Sequence, residues 1–306
     1  MTWTYVTADV FTDHVFGGNP LAVFPDASAI PETDLQNIAR EFNLSETVFV
    51  FPPQDSANTR RLRIFTPASE LPFAGHPTVG AALVLAMLGN IPLSGDLTRI
   101  VFEEGVGLVP VAIRAENGKP DFAQLTAAKL PEVGPPPPGR ALLADLLSLE
   151  PGDILGGINA PQAVSCGIPF LFVPLRDRAA VGKARVRLDI WESTLRSYWA
   201  PEIMVFSRDP ELPGSDIRAR MFAPGMGIGE DPATGSACAA LGGYLGSRES
   251  RAEGVLHYII EQGFEMGRPS ILDLEVDKVA GSVTAIRVGG KAVLVSRGEL
   301  IGTGNS

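Results

Sequence analysis

The sequence predicts an α+β chain of two similar halves, each a sheet curled around a central helix poor in large side chains. Three observations predict it. RLRIFTP at 61–67 is answered by RARMFAP at 218–224. After each strand comes a short loop, then Gly75-His76 or Gly235-Ser236, then a run of Ala and Gly closed by Leu-Gly at 88–89 or 245–246. Between the two copies lies LPEVGPPPPGR at 130–140, whose four consecutive prolines form a semi-rigid spacer. A period of roughly 155–160 residues is too long for a solenoid and suits two homologous domains. The expected halves are 1–129 and 130–306, and the strand expected over about 287–300 is compatible with either.

The elements follow in order. TYVTADVF alternates as a strand, GGNP at 17–20 is turn chemistry, and LAVF is an apolar strand. PETDLQNIAREFNL at 31–44 opens with Pro and repeats its apolar residues at helical spacing: Leu35, Ile38, Ala39 and Phe42. TVFVF at 47–51 is β-branched and aromatic, and TRRLRIFTP at 59–67 is a strand closed by proline. FAGHPTVGAALVLAML at 73–88 is a loop feeding a helix. Residues 107–128 form a hairpin with Asn117-Gly118 as its turn.

The second half opens with a helix at 141–149, then a strand, turn and strand over AVSCGIPFLFVPL at 163–175. LDIWESTLRSYW at 188–199 is helical, EIMVF at 202–206 and RARMFAP are strands, and EDPATGSACAALGGYLG at 230–246 is again a loop feeding a helix. Two or three strands complete the chain.

Composition excludes several classes. The net charge of −10 repels phosphate backbones, so no nucleic acid is expected as a partner. Cys166 and Cys238 suit neither a metal knuckle nor a redox pair, and three scattered histidines argue against zinc. Two thiols in 306 residues, with no basic start leading into an apolar run, point to the cytoplasm. The most apolar helix, VGAALVLAML, is too short to span a bilayer, so no membrane partner is expected.

Helices built from Ala and Gly allow close approach of their neighbours, and a buried helix start carries N–H groups without intrahelical partners. Dipole and free amides together favour an anion there. If both starts face one cleft, a carboxylate fits between them. His76 at the first start can donate, accept or carry a proton. Asp231, before the second, has three open roles: orienting His76, gripping a substrate amine, or capping the helix. Glu46, at the mouth of an apolar strand, is either an acid and base with a raised pKa or an exposed strand-end carboxylate.

Together these motifs resemble the PhzF family, named for the phenazine biosynthesis isomerase, within the diaminopimelate epimerase-like fold. The resemblance runs through DVFT…FGGNPLAVF (9–24), NLSETVFV (43–50), RIFTP…ELPFAGHPTVGAA (63–82), GIPFLFVPL (167–175), EDPATGSA (230–237) and QGFEMGRPS (262–270). It implies two barrel-like, mostly antiparallel halves with the site between them, a homodimer, and no cofactor or metal. It implies that Glu46 moves a proton along a conjugated ring, with His76, Asp231 and Ser236 completing the site. The amides of Gly75, His76, Gly235 and Ser236 would bind the carboxylate of a small-molecule substrate. Related epimerases use two cysteines at the helix starts; here those places hold Ala74 and Thr234, which excludes two-thiol racemisation.

Overall fold

The two Ala- and Gly-containing helices are buried on nearly every face, which leaves each one way to pack: sheet around helix. The computed structural model describes residues 2–302; Met1 and residues 303–306, the extremities of the two expected halves, lie outside the described residues. The chain divides into two units. One runs to Ala128 and resumes at Gly289; the other is Lys129–Val288.

The first unit contains β1 (Thr2–Val10), β2 (Asn19–Phe24), α1 (Glu32–Phe42), β3 (Glu46–Phe51), β4 (Arg60–Phe65), β5 (Glu70–Leu71), α2 (Gly75–Met87), β6 (Leu97–Glu104), β7 (Gly107–Glu116) and β8 (Lys119–Thr126). The second contains β9 (Glu132–Val133), α3 (Arg140–Leu147), β10 (Gln162–Ser165), β11 (Pro169–Pro174), α4 (Arg178–Lys183), α5 (Leu188–Thr194), β12 (Glu202–Ser207), β13 (Ile217–Ala223), β14 (Ile228–Asp231), α6 (Gly235–Gly246), β15 (Gly254–Gln262) and β16 (Ser270–Val279). β17 (Ser282–Gly290) leads to β18 (Ala292–Ile301). That last strand, which the sequence left open, lies antiparallel to β1 in the first unit, with Val10 opposite Ala292.

The pairing scheme occurs twice. β1–β2 is antiparallel, β2–β3 parallel, β3–β4 antiparallel, β4–β6 parallel and β6–β7 antiparallel. β10–β11, β11–β12, β12–β13, β13–β15 and β15–β16 repeat those directions in order. Each parallel pair needs a crossover: α1 and then α2 supply those of the first unit, α4 with α5 and then α6 those of the second. The registers make Glu46 and Glu202 equivalent, because each begins the strand laid parallel to β2 or β11.

Each unit has a central helix and an outer layer. α2 is buried from Gly75 to Ala86 and packs on β1, β2, β3, β7, β8 and β18. α6 packs on β10, β11 and β16, with Gly242 against Leu274, Ile286 and Val276. Outside, α1 lays Leu35, Ile38 and Ala39 on Phe24, Phe49 and Phe65. In the second unit Leu143, Leu147, Val181 and Trp191 cover Leu171, Val173, Ile203 and Val205.

Equivalent loops are locked in equivalent ways. Glu103 accepts the Gln54 and Asp55 amides at 2.7 and 2.9 Å, and Glu261 accepts those of Glu211 and Leu212. The next-but-one residues, Gly105 and Gly263, press against the loops before the two central helices. A Cβ on Gly105 would come within 2.8 Å of Pro72 Cα, and one on Gly263 within 2.5 Å of the Pro232 carbonyl. Backbone sits there, so only glycine fits.

Several elements differ from expectation: four strands rather than two or three follow α6, and α4 was not expected. β6 was not anticipated, although Thr98, Ile100 and Phe102 are buried on alternate positions, because the next inward residue is a glutamate. The helix expected over 188–199 ends at Thr194, where Leu195 and Arg196 both donate to the Trp191 carbonyl and the Trp191 indole donates to Pro201. Among the described residues no helix is long and apolar enough to cross a membrane.

Candidate active site

α2 begins where an extended residue, Ala74, turns into Gly75. Ala74 has no side chain that could cap, and Pro77 has no amide hydrogen. The N–H groups of Gly75 and His76 are therefore the donors that this start presents. No carboxylate occupies the first turn. A start left uncapped while buried is suited to an anion, worth roughly 0.3–1 kcal/mol and up to about 2 kcal/mol where partly buried.

β3 carries Glu46 to this helix start. The carboxylate Oε2 lies 3.3 Å from His76 Nδ1, with Glu46 9 % exposed and His76 3 %. Burial pushes the imidazole down to about 3, outweighing a hydrogen bond to the Pro20 carbonyl that favours the charged form. The contact is thus between a carboxyl group and a neutral ring, not an ion pair. His76 Nε2 is buried with no hydrogen-bond partner among the described residues.

Because imidazole is held neutral, His76 contributes stability that is complete above its ordinary value of 6.5 and is lost as pH falls toward 3. We expect its ring resonances, assigned with His76→Asn, to stay in the neutral position down to about pH 4. A titration midpoint above about pH 5.5 would show that burial does not dominate.

The second unit builds its helix start differently. Thr234 precedes Gly235 and donates its hydroxyl to Asp231 Oδ2. Gln262 locks both residues: its amide donates to the Asp231 carbonyl at 2.8 Å and to Thr234 Oγ1 at 3.0 Å, and its oxygen accepts the Thr234 amide. Asp231 is buried and Ser236 half-buried. The structure therefore brings Glu46 to His76, next to Gly75, and Asp231 to Thr234, the residue before Gly235 and Ser236.

Glu104 and Gln262 were missed by the sequence reading. Their signal is the repeat itself, VFEEG at 101–105 against IIEQG at 259–263. Each hangs from the end of a strand onto the helix start of its unit: Glu104 Oε1 lies 2.7 Å from Thr78 Oγ1.

The thiols offer no alternative chemistry. Ala74 and Thr234 are the residues from which the two helices spring, as the sequence placed them. Cys238 lies about one turn farther in and Cys166 on the loop after β10; burial pushes Cys166 up to about 12 and raises Cys238 well above the usual range. Among the described residues, no three His, Cys, Asp or Glu side chains cluster as metal ligands would.

Comparison with known proteins gives this geometry a context. The family profile of phenazine biosynthesis-like proteins, PhzC-PhzF, matches residues 8–298. An uncharacterised isomerase of Mesorhizobium japonicum is 39% identical over 302 residues, covering 98% of this chain and 99% of its own. The trans-2,3-dihydro-3-hydroxyanthranilate isomerase of Pseudomonas chlororaphis is 34% identical over 297 residues, covering 97% and 99%. The crystal structure of a PhzF-family phenazine biosynthesis protein from Bacillus anthracis superposes with a TM-score of 0.88 at 25% identity, covering 98% of this chain and 99% of that one.

Proposed function

The chain belongs to the PhzC-PhzF family of phenazine biosynthesis-like proteins and is an isomerase; from that premise we propose that it moves a proton between two carbons of a small cyclic carboxylic acid, with Glu46 as its single acid and base and no cofactor. The observation that carries this reading is the buried Glu46 carboxyl 3.3 Å from the neutral His76 ring, at a helix start whose N-cap residue, Ala74, supplies no side-chain cap.

The steps balance within the substrate. Glu46 as carboxylate takes a proton from an sp³ carbon beside a conjugated system, and the bonding pair left behind is delocalised over that system. The same group, now a carboxylic acid, returns the proton to another carbon of it. Nothing is gained or lost, as an isomerisation requires. Positioned acid–base catalysis contributes about 10²–10⁴-fold. Neutral His76 can donate to or accept from the substrate without burying a second charge. The Gly75 and His76 amides at one helix start serve the substrate carboxylate; at the other, the Gly235 and Ser236 amides suit an anion and Asp231 suits an amine. Relatives named for trans-2,3-dihydro-3-hydroxyanthranilate isomerisation support a ring that carries both groups.

The test is solvent exchange. In D₂O the protein should place deuterium on a ring carbon of trans-2,3-dihydro-3-hydroxyanthranilate, or of another acid in a panel of small cyclic amino acids. Absence of label at carbon across the panel, with the fold intact, refutes the proposal.

A further inference from the structure

Glu104 is a buried carboxyl group to which the proposed chemistry assigns nothing. It ends β6 on the inward face, and its Oε2 is buried with no hydrogen-bond partner among the described residues. Oε1 lies 2.7 Å from Thr78 Oγ1, and that same hydroxyl lies 2.8 Å from the Ala74 carbonyl. Thr78 has one hydroxyl hydrogen for these two acceptors. If Glu104 is protonated, both contacts are satisfied: Glu104 donates to Thr78, and Thr78 donates to Ala74. If Glu104 is ionised, the hydrogen is drawn to the carboxylate and the Ala74 carbonyl keeps only the long bond from the Thr78 amide, at 3.3 Å.

That carbonyl matters because of its peptide plane. The Ala74 C=O and the Gly75 N–H belong to one rigid amide group, so fixing the oxygen fixes the direction of the hydrogen. The repeat supplies a comparison. At the equivalent place in the second unit stands Gln262, which is neutral at every pH and holds its own helix start with three hydrogen bonds. Glutamic acid in its protonated form has the shape of glutamine.

We propose that Glu104 is a positioning residue: in its neutral form it locks, through Thr78, the peptide whose N–H faces the substrate carboxylate, and its ionisation releases that lock. This rests on the carboxylate reading of the α2 start. The charged groups around it make no ion pair with it among the described residues, although the Arg61 Nε is buried without a hydrogen-bond partner. Arg63 holds Glu70 and Glu32, and the Arg61 guanidinium lies over the Phe51 ring at 5.0 Å. Glu103 takes the Gln54 and Asp55 amides and the Asn58 side chain, and α2 contributes only neutral His76 and Thr78. No cation therefore pairs with Glu104 among the described residues, and burial pushes its carboxyl up to about 8.

Two measurements test this. In protein carrying ¹³C-labelled glutamate and ¹⁵N, the Glu104 carboxyl, assigned with Glu104→Gln, should titrate near pH 8, and the Gly75 amide should shift with it in wild type but not in the variant. A Glu104 midpoint in the ordinary carboxylate range, or a Gly75 amide that ignores it, overturns the proposal. With trans-2,3-dihydro-3-hydroxyanthranilate as probe, wild-type KM should rise about ten-fold between pH 8 and 9.3, while Glu104→Gln holds KM level and kcat is equal in the two. Parallel KM profiles overturn it as well. Should the Glu104 and Gly75 resonances move together while no carboxylate binds at pH 7, the lock stands and the functional reading falls.

Discussion

Replacing Glu46 with Gln abolishes exchange at carbon and leaves carboxylate binding in place. Gln keeps the size and one acceptor oxygen of Glu, but its amide cannot take and return a proton. The loss in kcat should be about 10²–10⁴-fold, the usual contribution of a positioned acid–base group. Affinity for an unreactive aromatic carboxylate such as anthranilate, measured by calorimetry, should change by no more than about three-fold, because anion binding is assigned to backbone amides. A group used only in the transition state lowers kcat without weakening the ground-state complex. The structure makes the substitution mild: Glu46 begins a strand held on both sides, by Leu21 in register on β2 and through Thr47 opposite Phe65 on β4. A Glu46→Gln protein that exchanges label at the wild-type rate would leave the mechanism without its base.

The second large effect concerns stability, and the internal repeat provides its control. Arg220→Ala should cost about 3–5 kcal/mol, whereas the equivalent Arg63→Ala should cost no more than about 1 kcal/mol. Both arginines grip a glutamate with two nitrogens: Arg220 holds Glu230 at 2.7 and 2.8 Å, and Arg63 holds Glu70 at 2.7 Å twice. The difference is solvent. The Arg220 side chain is 3 % exposed and its third nitrogen takes the carbonyls of Val181, Gly182 and Ala184, so that β13, β14 and the end of α4 meet on one guanidinium. Removing it leaves a half-buried carboxylate and those carbonyls without a donor, each costly to leave unmade. Arg63 is 22 % exposed and its other partner, Glu32, is 80 % exposed, so water replaces what is lost. Urea unfolding of the two variants decides the matter; equal shifts in midpoint would show that burial is not what gives the Arg220 cluster its strength. Since Glu230 adjoins Asp231, Arg220→Ala should also weaken substrate binding.

Much of this molecule was readable from its chain. The repeat showed in the paired strands RLRIFTP and RARMFAP and in the helix after each, where close approach of neighbours, as at Gly80 and Gly242, calls for small residues twice. Asn117-Gly118 marked the hairpin between β7 and β8, because few residues adopt the positive φ that this turn requires. Glu46, His76 and Asp231 stood out as charged or titratable residues set among apolar or small ones.

What the chain could not state is which distant pieces meet. A strand's alternation reports that one face is buried, not which neighbour it joins, so the return of β18 to β1 required the closed sheet. The contact of Glu46 with His76 joins residues thirty positions apart, and only the pairing of β2 with β3 beside α2 brings them together. β6 escaped notice for a physical reason tied to its use: an inward glutamate looks like a solvated one until the surrounding fold removes the water. Sequence determined where the two central helices start; tertiary burial decided that the His76 imidazole is pushed toward its neutral form and the Glu104 carboxyl upward, because the cost of charge depends on what encloses it and not on what precedes it in the chain.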